Sequence, residues 1–199
     1  MSLVRVQEGE QKLIMVDYIL NHGENFSYVE NVISDEEIDI LMNHWGKLEF
    51  GHELIDDNKW DVWSPYKTSI LHQLRKVEIV GLPVDDIPFI TKKIKEVFSL
   101  ILDYDFNIEG PHYFTKYPTG GFHSLHRDGG IHNDVTRDKV ITIQLTDENQ
   151  YEGGDLIING EIAPRSKGTF IIYSGNDPHE VTKVTRGHRY SITECAGKK

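Results

Sequence analysis

The second half of the chain is dominated by short runs in which apolar and polar residues alternate. Side chains of a β-strand point alternately to the two faces of a sheet, so this alternation predicts strands. From residue 111 onward we predict eight strands, at residues 112–117, 122–128, 139–146, 156–159, 161–164, 169–173, 180–184 and 188–195. Gly, Asn and Pro separate them, and Asn159-Gly160 is a strong hairpin signal. Many short strands joined by such turns are typical of a jelly roll, or double-stranded β-helix.

The first half of the chain mixes strands with helices. Apolar runs at residues 12–20 and 26–33 predict two strands, and residues 69–80 predict one or two more. A helix is predicted to start at Ser34, because a serine followed three residues later by Glu37 matches a capping box. Gly46 is its predicted end, and its predicted apolar face consists of Ile38, Ile40, Leu41 and Trp45.

A second helix is predicted from residue 85 or 86 to about residue 102. Its apolar residues recur at helical spacing and should pack against the sheet, namely Ile90, Ile94, Val97, Phe98, Ile101 and Leu102. Because no linker or repeat divides the chain, we predict a single domain, residues 1–199. Residues 1–110 would supply N-terminal strands and supporting helices, and residues 111–195 the jelly-roll core. The predicted fold class is mainly β with flanking helices.

Composition restricts the kinds of binding partner and the cellular compartment that we expect for this protein. The chain has 32 acidic and 21 basic residues, a formal charge of −11, which disfavours nucleic acid because that binding depends largely on neutralising phosphates. Cys195 is the single cysteine, so no internal disulfide can form and a reducing compartment is expected. We find neither a signal-peptide pattern nor an apolar run of membrane-spanning length. We therefore expect a soluble, cytoplasmic protein without a membrane partner.

The strand predicted at residues 122–128 carries candidate metal ligands. In an extended strand His126 and Asp128 point to the same face, because they are two residues apart. Iron(II) oxygenases bind their metal through two histidines and one carboxylate and leave other positions open. His179, where a turn leads into a later strand, supplies the second imidazole. A zinc hydrolase uses a similar residue set. Arg189 favours iron, because its planar guanidinium can bind the carboxylate of an organic acid through two hydrogen bonds.

The order of these residues resembles that of the 2-oxoglutarate and iron(II)-dependent oxygenases, and the details resemble their prolyl 4-hydroxylase-like branch. Tyr117-Pro118 resembles the tyrosine that contacts 2-oxoglutarate in that branch. Residues 152–156, Glu-Gly-Gly-Asp-Leu, resemble its Gly-Gly-acidic-Leu turn. Residues 189–193, Arg-Tyr-Ser-Ile-Thr, resemble the strand that holds the distal carboxylate of the co-substrate. The resemblance covers about residues 111–195, and its motifs occur in the family's order.

The resemblance implies a reaction and a catalytic set. It assigns Fe(II) to His126, Asp128 and His179, and it pairs Arg189 with the C5 carboxylate of 2-oxoglutarate. Enzymes of this family consume 2-oxoglutarate and O2, release succinate and carbon dioxide, and hydroxylate a C–H bond of the substrate. Ascorbate is a further cofactor that the resemblance implies.

Further residues are predicted to bind the co-substrate. Thr193 lies four residues after Arg189 on the same strand face and would donate a hydroxyl hydrogen bond to the same carboxylate. Tyr117 would donate a phenol hydrogen bond from the opposite wall. Gln144 stands where the family commonly has a tyrosine, so co-substrate binding should differ there in detail. Cys195 stands where the family frequently has a bulky aromatic residue. The distance that the substrate reaches into the site would therefore differ.

Three more histidines compete as metal ligands. His123 should face the other side of its strand, in a surface or supporting role. His132 lies in the loop 129–137, which directly follows Asp128. His188 should point away from the pocket, because it alternates with its neighbour in the strand.

Two segments are predicted to contact the substrate. The first is the loop 129–137, with His132 and Arg137, because it must lie beside the open positions of the metal. The second is an irregular aromatic stretch that contains Trp60 and Trp63. Its tryptophans either line a substrate groove or pack a loop onto the core.

The predicted function is an Fe(II)- and 2-oxoglutarate-dependent dioxygenase that hydroxylates a prolyl residue of a protein or peptide. A hydroxylase of a free amino acid or small metabolite would use the same metal residues. The excess of acidic residues disfavours a nucleic-acid demethylase, and no second arginine lies near Cys195. A non-enzymatic metal- or ligand-binding jelly-roll module is a further alternative. The intact Asp128 argues against it, and also against a halogenase, which needs that ligand position for halide.

Overall fold

The computed structural model describes residues 18–43, 51–53, 68–71, 74–108, 110–132 and 135–198, and this part of the chain is mostly β-strand. Its helices are α1 (Asp35–Leu41) and α2 (Pro88–Ser99), with a 3-10 turn at Glu148–Gln150. The first strands are β1 (Asn21–His22), β2 (Ser27–Val29), β3 (Gly51–Glu53), β4 (Thr68–Leu71), β5 (Arg75–Leu82), β6 (Phe106–Ile108), β7 (His112–Tyr117) and β8 (Phe122–His126). The later strands are β9 (Ile131–His132), β10 (Val135–Thr136), β11 (Lys139–Gln144), β12 (Leu156–Ile158), β13 (Glu161–Ile162), β14 (Phe170–Ser174), β15 (His179–Val181) and β16 (Arg189–Lys198).

Backbone hydrogen bonds join most strands into one curled sheet, which is antiparallel except for the parallel pair β3 and β4. The strands follow one another in the order β1-β2-β14-β11-β16-β7-β5-β8-β15-β12-β13. β5 links the two halves of the sheet, because residues 78–82 pair with β7 while Arg75 and Lys76 pair with β8. The larger half therefore consists of β1, β2, β14, β11, β16 and β7. The smaller half consists of β8, β15, β12 and β13.

Two hydrophobic cores follow from the alternation within the strands. Ile141 and Ile143 of β11 point outward and pack with the buried faces of α1 and α2, including Leu41 and Ile94. Val140, on the opposite face of β11, belongs to an inner core that also contains residues of β12 and β15. Because the inner core is built from both halves, the sheet folds over on itself. This is the predicted jelly roll with flanking helices.

The strand predictions of the second half are confirmed. All eight predicted strands are present, with ends that differ from the prediction by a few residues. Asn159 and Gly160 join β12 to β13 with φ angles of 50° and 85°, as a tight hairpin turn requires. The prediction did not anticipate β6 or the β9–β10 hairpin, which forms inside the loop 129–137.

The first predicted helix is confirmed at its start. The Ser34 backbone N–H donates to the Glu37 carboxylate at 2.9 Å, and the Glu37 N–H donates to the Ser34 hydroxyl at 3.3 Å, which completes the capping box. Ile38 and Leu41 are buried, but Ile40 is 59% exposed, so its predicted core position is wrong. The reason is that residue 40 lies about 200° around the helix from residue 38. Trp45 and Gly46 lie outside the described residues.

The remaining elements of the first half are partly confirmed. α2 carries the predicted apolar residues from Ile90 to Phe98 and begins at Pro88, a residue suited to a first helical turn. It ends at Ser99, so Ile101 and Leu102 lie beyond it. Residues 69–80 form two strands, β4 and β5, and residues 26–33 contain β2. Of the strand predicted at 12–20, residues 18–20 are irregular and the rest lie outside the described residues. Within the described ranges, neither helix has the length and apolar character needed to cross a membrane.

Candidate metal centre

Two neighbouring strands of the smaller half bring three potential metal ligands together. β8 ends at His126 and β15 begins at His179, and these residues are direct cross-strand partners. Asp128 lies two residues beyond the end of β8, so its predicted position within the strand is wrong. Its carboxylate nevertheless faces the imidazoles, and one ligand atom from each residue lies within 4.8 Å of the others.

Hydrogen bonds orient both imidazoles toward the carboxylate. Nδ1 of His126 lies 2.8 Å from the Ser124 carbonyl oxygen, and Nδ1 of His179 lies 3.0 Å from the Asp177 carbonyl oxygen. A carbonyl only accepts, so each Nδ1 carries a proton. Each Nε2 therefore faces Asp128, and it is the nitrogen that would bind a metal after losing its own proton. The Nε2 atoms lie 3.5 Å and 3.3 Å from the two carboxylate oxygens of Asp128.

The electrostatics of the cluster keep its carboxylate ionised. Burial raises the pKa of Asp128, but hydrogen bonds from His126 and His179 and their charges outweigh burial and hold this pKa well below its usual value. Burial lowers the pKa of His179, but its hydrogen bond to Asp128 and the charge of Asp128 give a net raised pKa. The site therefore carries a negative ligand that favours a cation between the three side chains.

His123 faces the site, and the prediction that it faces the other side of the strand is wrong. His126 pairs with His179, but Val181 pairs with His123, so β8 has one residue more than β15 between these pairs. Such a bulge interrupts the alternation of side chains. The His123 ring stacks on the His126 ring with centroids 3.7 Å apart and an interplanar angle of 23°. Burial, with the charge of His126, lowers the pKa of His123 to about 2, so its ring is neutral.

Arg189 is buried inside the larger half of the sheet. Its side chain is 1% exposed, and its Nη1 donates to the Ser191 hydroxyl at 3.4 Å. Its guanidinium lies 5.0 Å from the centre of the Tyr117 ring, its cross-strand neighbour. Among the described residues, Nε and Nη2 of Arg189 have no hydrogen-bond partner. Leaving buried charged donors unpaired is costly, so these two atoms favour an anionic ligand.

Glycines in the turn before β12 make room for Arg189. A Cβ on Gly154 would lie 3.3 Å from Arg189 Cδ and 2.9 Å from a Val184 methyl group. Gly153 approaches the Lys183 carbonyl so closely that a Cβ would overlap its oxygen. Both glycines have positive φ angles, 68° and 67°, which side-chain-bearing residues rarely adopt. The Gly-Gly turn is therefore required by backbone geometry and by space.

The predicted co-substrate residues lie on the inner face of the larger half. Tyr117 is 6% exposed, and it is within electrostatic range of both Arg189 and Asp128. Thr193 shares the inner face with Arg189 and is the cross-strand partner of Thr142. Gln144 is buried on β11, and its amide donates to the Pro164 carbonyl at 3.2 Å.

The sequence interpretation missed two residues of this region. Tyr173 on β14 is buried, and its ring edge packs against His179 with centroids 4.8 Å apart. The inward alternation of its predicted strand was a signal for it. Arg75 is the cross-strand partner of His123, and the charges of Tyr117 and Asp128 act on it. No local signal indicated Arg75, because β5 meets β8 only in the folded chain.

The predicted substrate residues are only partly within the described structure. The backbone of His132 belongs to β9, and Arg137 is half-buried just after β10, where its N–H donates to the Gly130 carbonyl. Trp60 and Trp63 lie outside the described residues. His188 is exposed, which agrees with its predicted orientation away from the pocket.

Comparisons with known proteins agree with this geometry. The family model of the 2OG-Fe(II) oxygenase superfamily matches residues 112–195. A PKHD-type hydroxylase of Shewanella oneidensis is 27% identical over 172 residues, which cover 82% of this chain and 74% of that protein. A PKHD-type hydroxylase of Nitrobacter winogradskyi is 35% identical over 89 residues, 40% of this chain and 39% of that protein. Across the relatives from Picosynechococcus, Delftia and Nitrobacter, the chain spans only 36% to 40% of their length.

Two solved structures share the fold. A prolyl hydroxylase from Trichoplax adhaerens, in complex with a hypoxia inducible factor oxygen degradation domain peptide fragment, has a TM-score of 0.67 at 16% identity and covers 87% of this chain and 84% of its own. The viral collagen prolyl hydroxylase of Paramecium Bursaria Chlorella virus-1, as a 2OG complex, has a TM-score of 0.63 at 18% identity and covers 89% and 98%. At these low sequence identities the structural similarity shows the fold alone, and it confirms the predicted jelly roll. Residues 112–195 are therefore similar to the 2OG-Fe(II) oxygenase superfamily.

Proposed function

We propose that the protein is an Fe(II)- and 2-oxoglutarate-dependent dioxygenase that hydroxylates a prolyl residue of a protein or peptide. One observation carries the proposal: a metal-ligand cluster and a buried arginine with unused donors occupy the same jelly roll. The cluster is His126, Asp128 and His179, and the arginine is Arg189. Either feature by itself would suit many kinds of protein, but together they meet the needs of a metal and an organic anion.

The three ligands fit Fe(II). Two imidazole nitrogens and one carboxylate are the donor set of non-haem iron oxygenases, which leave positions open for other ligands. His126 and His179 would bind through Nε2, because both Nδ1 atoms are engaged with backbone carbonyls. Asp128 would offset part of the dication's charge. When bound, the metal and the co-substrate supply the oxidative chemistry that amino acid side chains lack.

The surroundings of Arg189 fit the distal carboxylate of 2-oxoglutarate. A guanidinium binds a carboxylate best through two parallel N–H donors, and Nε and Nη2 are an unused pair of this kind. We assign Thr193 and Tyr117 as further hydrogen-bond donors to the co-substrate, and Gln144 as a residue of the pocket wall. The buried rings of Tyr117 and Tyr173 would exclude water from the site.

The substrate class rests on position and on relatives. The β9–β10 hairpin begins three residues after Asp128, and this closeness in the chain supports its assignment beside the metal ligands. We assign His132 and Arg137 of this segment, together with Trp60 and Trp63, to the binding of an extended peptide. Relatives named as PKHD-type hydroxylases and neighbours named as prolyl hydroxylases support proline as the modified residue. We include ascorbate in the proposal as an accessory reductant.

A product assay tests this function. Purified protein is supplied with Fe(II), 2-oxoglutarate and proline-containing peptides, with and without ascorbate, and succinate and product masses are measured. We expect succinate release together with a peptide that has gained one oxygen atom on proline. Oxygen gain by a free amino acid but by no peptide would replace the proposed substrate class. Absence of 2-oxoglutarate turnover with every substrate would contradict the enzyme function itself.

A further inference from the structure

Four aromatic rings form a continuous row through the metal centre. The centroids of His123 and His126 are 3.7 Å apart, those of His126 and His179 are 4.2 Å apart, and those of His179 and Tyr173 are 4.8 Å apart. The two ligand rings occupy the middle of this row. Each ligand imidazole is thus in contact with a ring that is not itself part of the ligand cluster.

The two ends of the row are built differently. Tyr173 belongs to the larger half of the sheet and is fixed in the inner core, where its hydroxyl lies 3.3 Å from the Thr142 hydroxyl. His123 reaches the row only because of the bulge in β8, which brings it to the same face as His126. A bulge that redirects one side chain onto a functional residue is a specific feature of a strand rather than a defect.

The two ligands differ in how firmly their surroundings hold them. The side chain of His179 is 4% exposed, whereas that of His126 is 25% exposed. Each has one hydrogen bond from Nδ1 to a carbonyl two residues earlier. A single hydrogen bond leaves the tilt of an imidazole free, and the more exposed ring has fewer neighbours to restrict it. The nearly parallel face of His123 covers His126 and restricts that tilt.

We propose that His123 is a positioning residue for the metal ligand His126 and acts through the stacking of its ring. The inference rests on the proposed metal site and adds to it a residue outside the ligand triad. His123 would keep Nε2 of His126 directed at the metal while the opposite edge is held by the Ser124 carbonyl. Ring stacking of this kind changes binding by about three- to tenfold.

Metal binding without turnover tests this role. Co(II) is titrated anaerobically into the metal-free protein, and its visible absorption reports both the affinity and the ligand geometry. We expect His123→Ala to weaken Co(II) binding by about three- to tenfold and to alter the absorption spectrum. His123→Phe keeps an aromatic face without a nitrogen and should retain the affinity and the spectrum. Leu125→Ala is the matched control, because Leu125 lies on the same strand and is 64% exposed.

Each result supports or contradicts a defined part of the inference. If the unmodified protein does not bind Co(II), the metal site of the proposed function is wrong. If it binds but His123→Ala keeps both affinity and spectrum, the positioning role is wrong. If His123→Phe loses as much affinity as His123→Ala, a nitrogen of His123 acts and stacking does not. Circular dichroism verifies folding, and His123→Leu replaces the alanine variant if that variant unfolds.

Discussion

Nδ1 of His112 lies 2.5 Å from Oε2 of Glu194, and both side chains are at most 1% exposed. The other oxygen of Glu194 accepts from the backbone N–H groups of Gly110 and Cys195 at 3.1 Å and 2.8 Å. Nε2 of His112 lies 2.8 Å from the hydroxyl of Thr91, on α2. The pair therefore connects β7, β16 and α2 on the face of the sheet opposite the metal centre.

Removing this carboxylate should destabilise the fold. Glu194→Ala leaves His112 and two backbone N–H groups without their acceptor in a buried environment, and breaking such a pair costs about 3–5 kcal/mol. Urea unfolding of the metal-free protein measures the loss. The control is Glu148→Ala, an exposed glutamate whose removal should change the free energy of unfolding by less than about 0.5 kcal/mol. Equal stabilities of the two variants would show that the buried pair contributes little.

The same glutamate should make stability depend on pH. Burial raises the pKa of Glu194 above its usual value of 4.5, and hydrogen bonds from His112 oppose this only in part. The folded state therefore holds this proton more tightly than the unfolded state. Its stabilising contribution is complete below the usual pKa and is lost as the pH rises through the raised pKa.

Comparison with Glu194→Gln isolates this effect, because the glutamine does not titrate. The difference in unfolding free energy, unmodified protein minus variant, should be largest below the usual pKa of 4.5 and should fall as the pH rises above it. Urea unfolding at several pH values measures it, and titrating groups that are far from residue 194 in both proteins cancel. A difference that rises with pH would mean that the pKa of Glu194 is lowered in the folded state.

Removal of one proposed metal ligand should abolish the proposed activity. His179→Ala deletes a nitrogen donor that lies 3.3 Å from Asp128, so Fe(II) binding and succinate formation should both be lost while the fold remains. Anaerobic metal titration and the product assay measure these effects. His188→Ala is the matched control, since this histidine is exposed and should leave both unchanged. Full turnover of His179→Ala at ordinary iron concentrations would disprove the ligand assignment.

Arg189→Lys should weaken 2-oxoglutarate binding without abolishing it. Lysine keeps the charge but lacks the planar pair of donors, so the dissociation constant should rise by about ten- to a hundredfold, with about 1.4 kcal/mol per factor of ten. Calorimetric titration of 2-oxoglutarate into the Co(II)-loaded protein measures it. Arg186→Lys, in an exposed pair with Glu152, serves as the control. A change in peptide affinity alone would give Arg189 a different role.

Trp63→Ala should slow peptide hydroxylation more than it slows the basal reaction. If this residue lines a peptide groove, its loss affects the substrate, whereas uncoupled succinate formation needs only iron, O2 and 2-oxoglutarate. Parallel assays of succinate and hydroxylated peptide measure the two rates. Ile40→Ala removes a 59% exposed apolar side chain elsewhere and should affect neither. Equal slowing of both reactions would indicate a structural role for the tryptophan.

The sequence by itself determined those features that depend on a few neighbouring residues. The capping box of Ser34 and Glu37, the Asn159-Gly160 turn and the strands of the jelly roll follow from local hydrogen bonding and from side-chain alternation. The candidate ligands were predicted in a similar way, from residue type, from the strand alternation that places His126 and Asp128 on one face, and from the turn that precedes His179. Such features depend on residues that are close together in the sequence, so they can be predicted without knowledge of the fold.

Only the tertiary structure decided which side chains meet. The bulge that turns His123 onto His126 arises from the pairing of β8 with β15, and alternation within β8 alone gives the opposite orientation. The unused donors of Arg189 are also a tertiary property, because a guanidinium lacks partners only after neighbouring strands have removed it from water. Cross-strand pairing and burial join residues far apart in the chain. Such contacts therefore leave no periodic pattern in the sequence around His123 or Arg189.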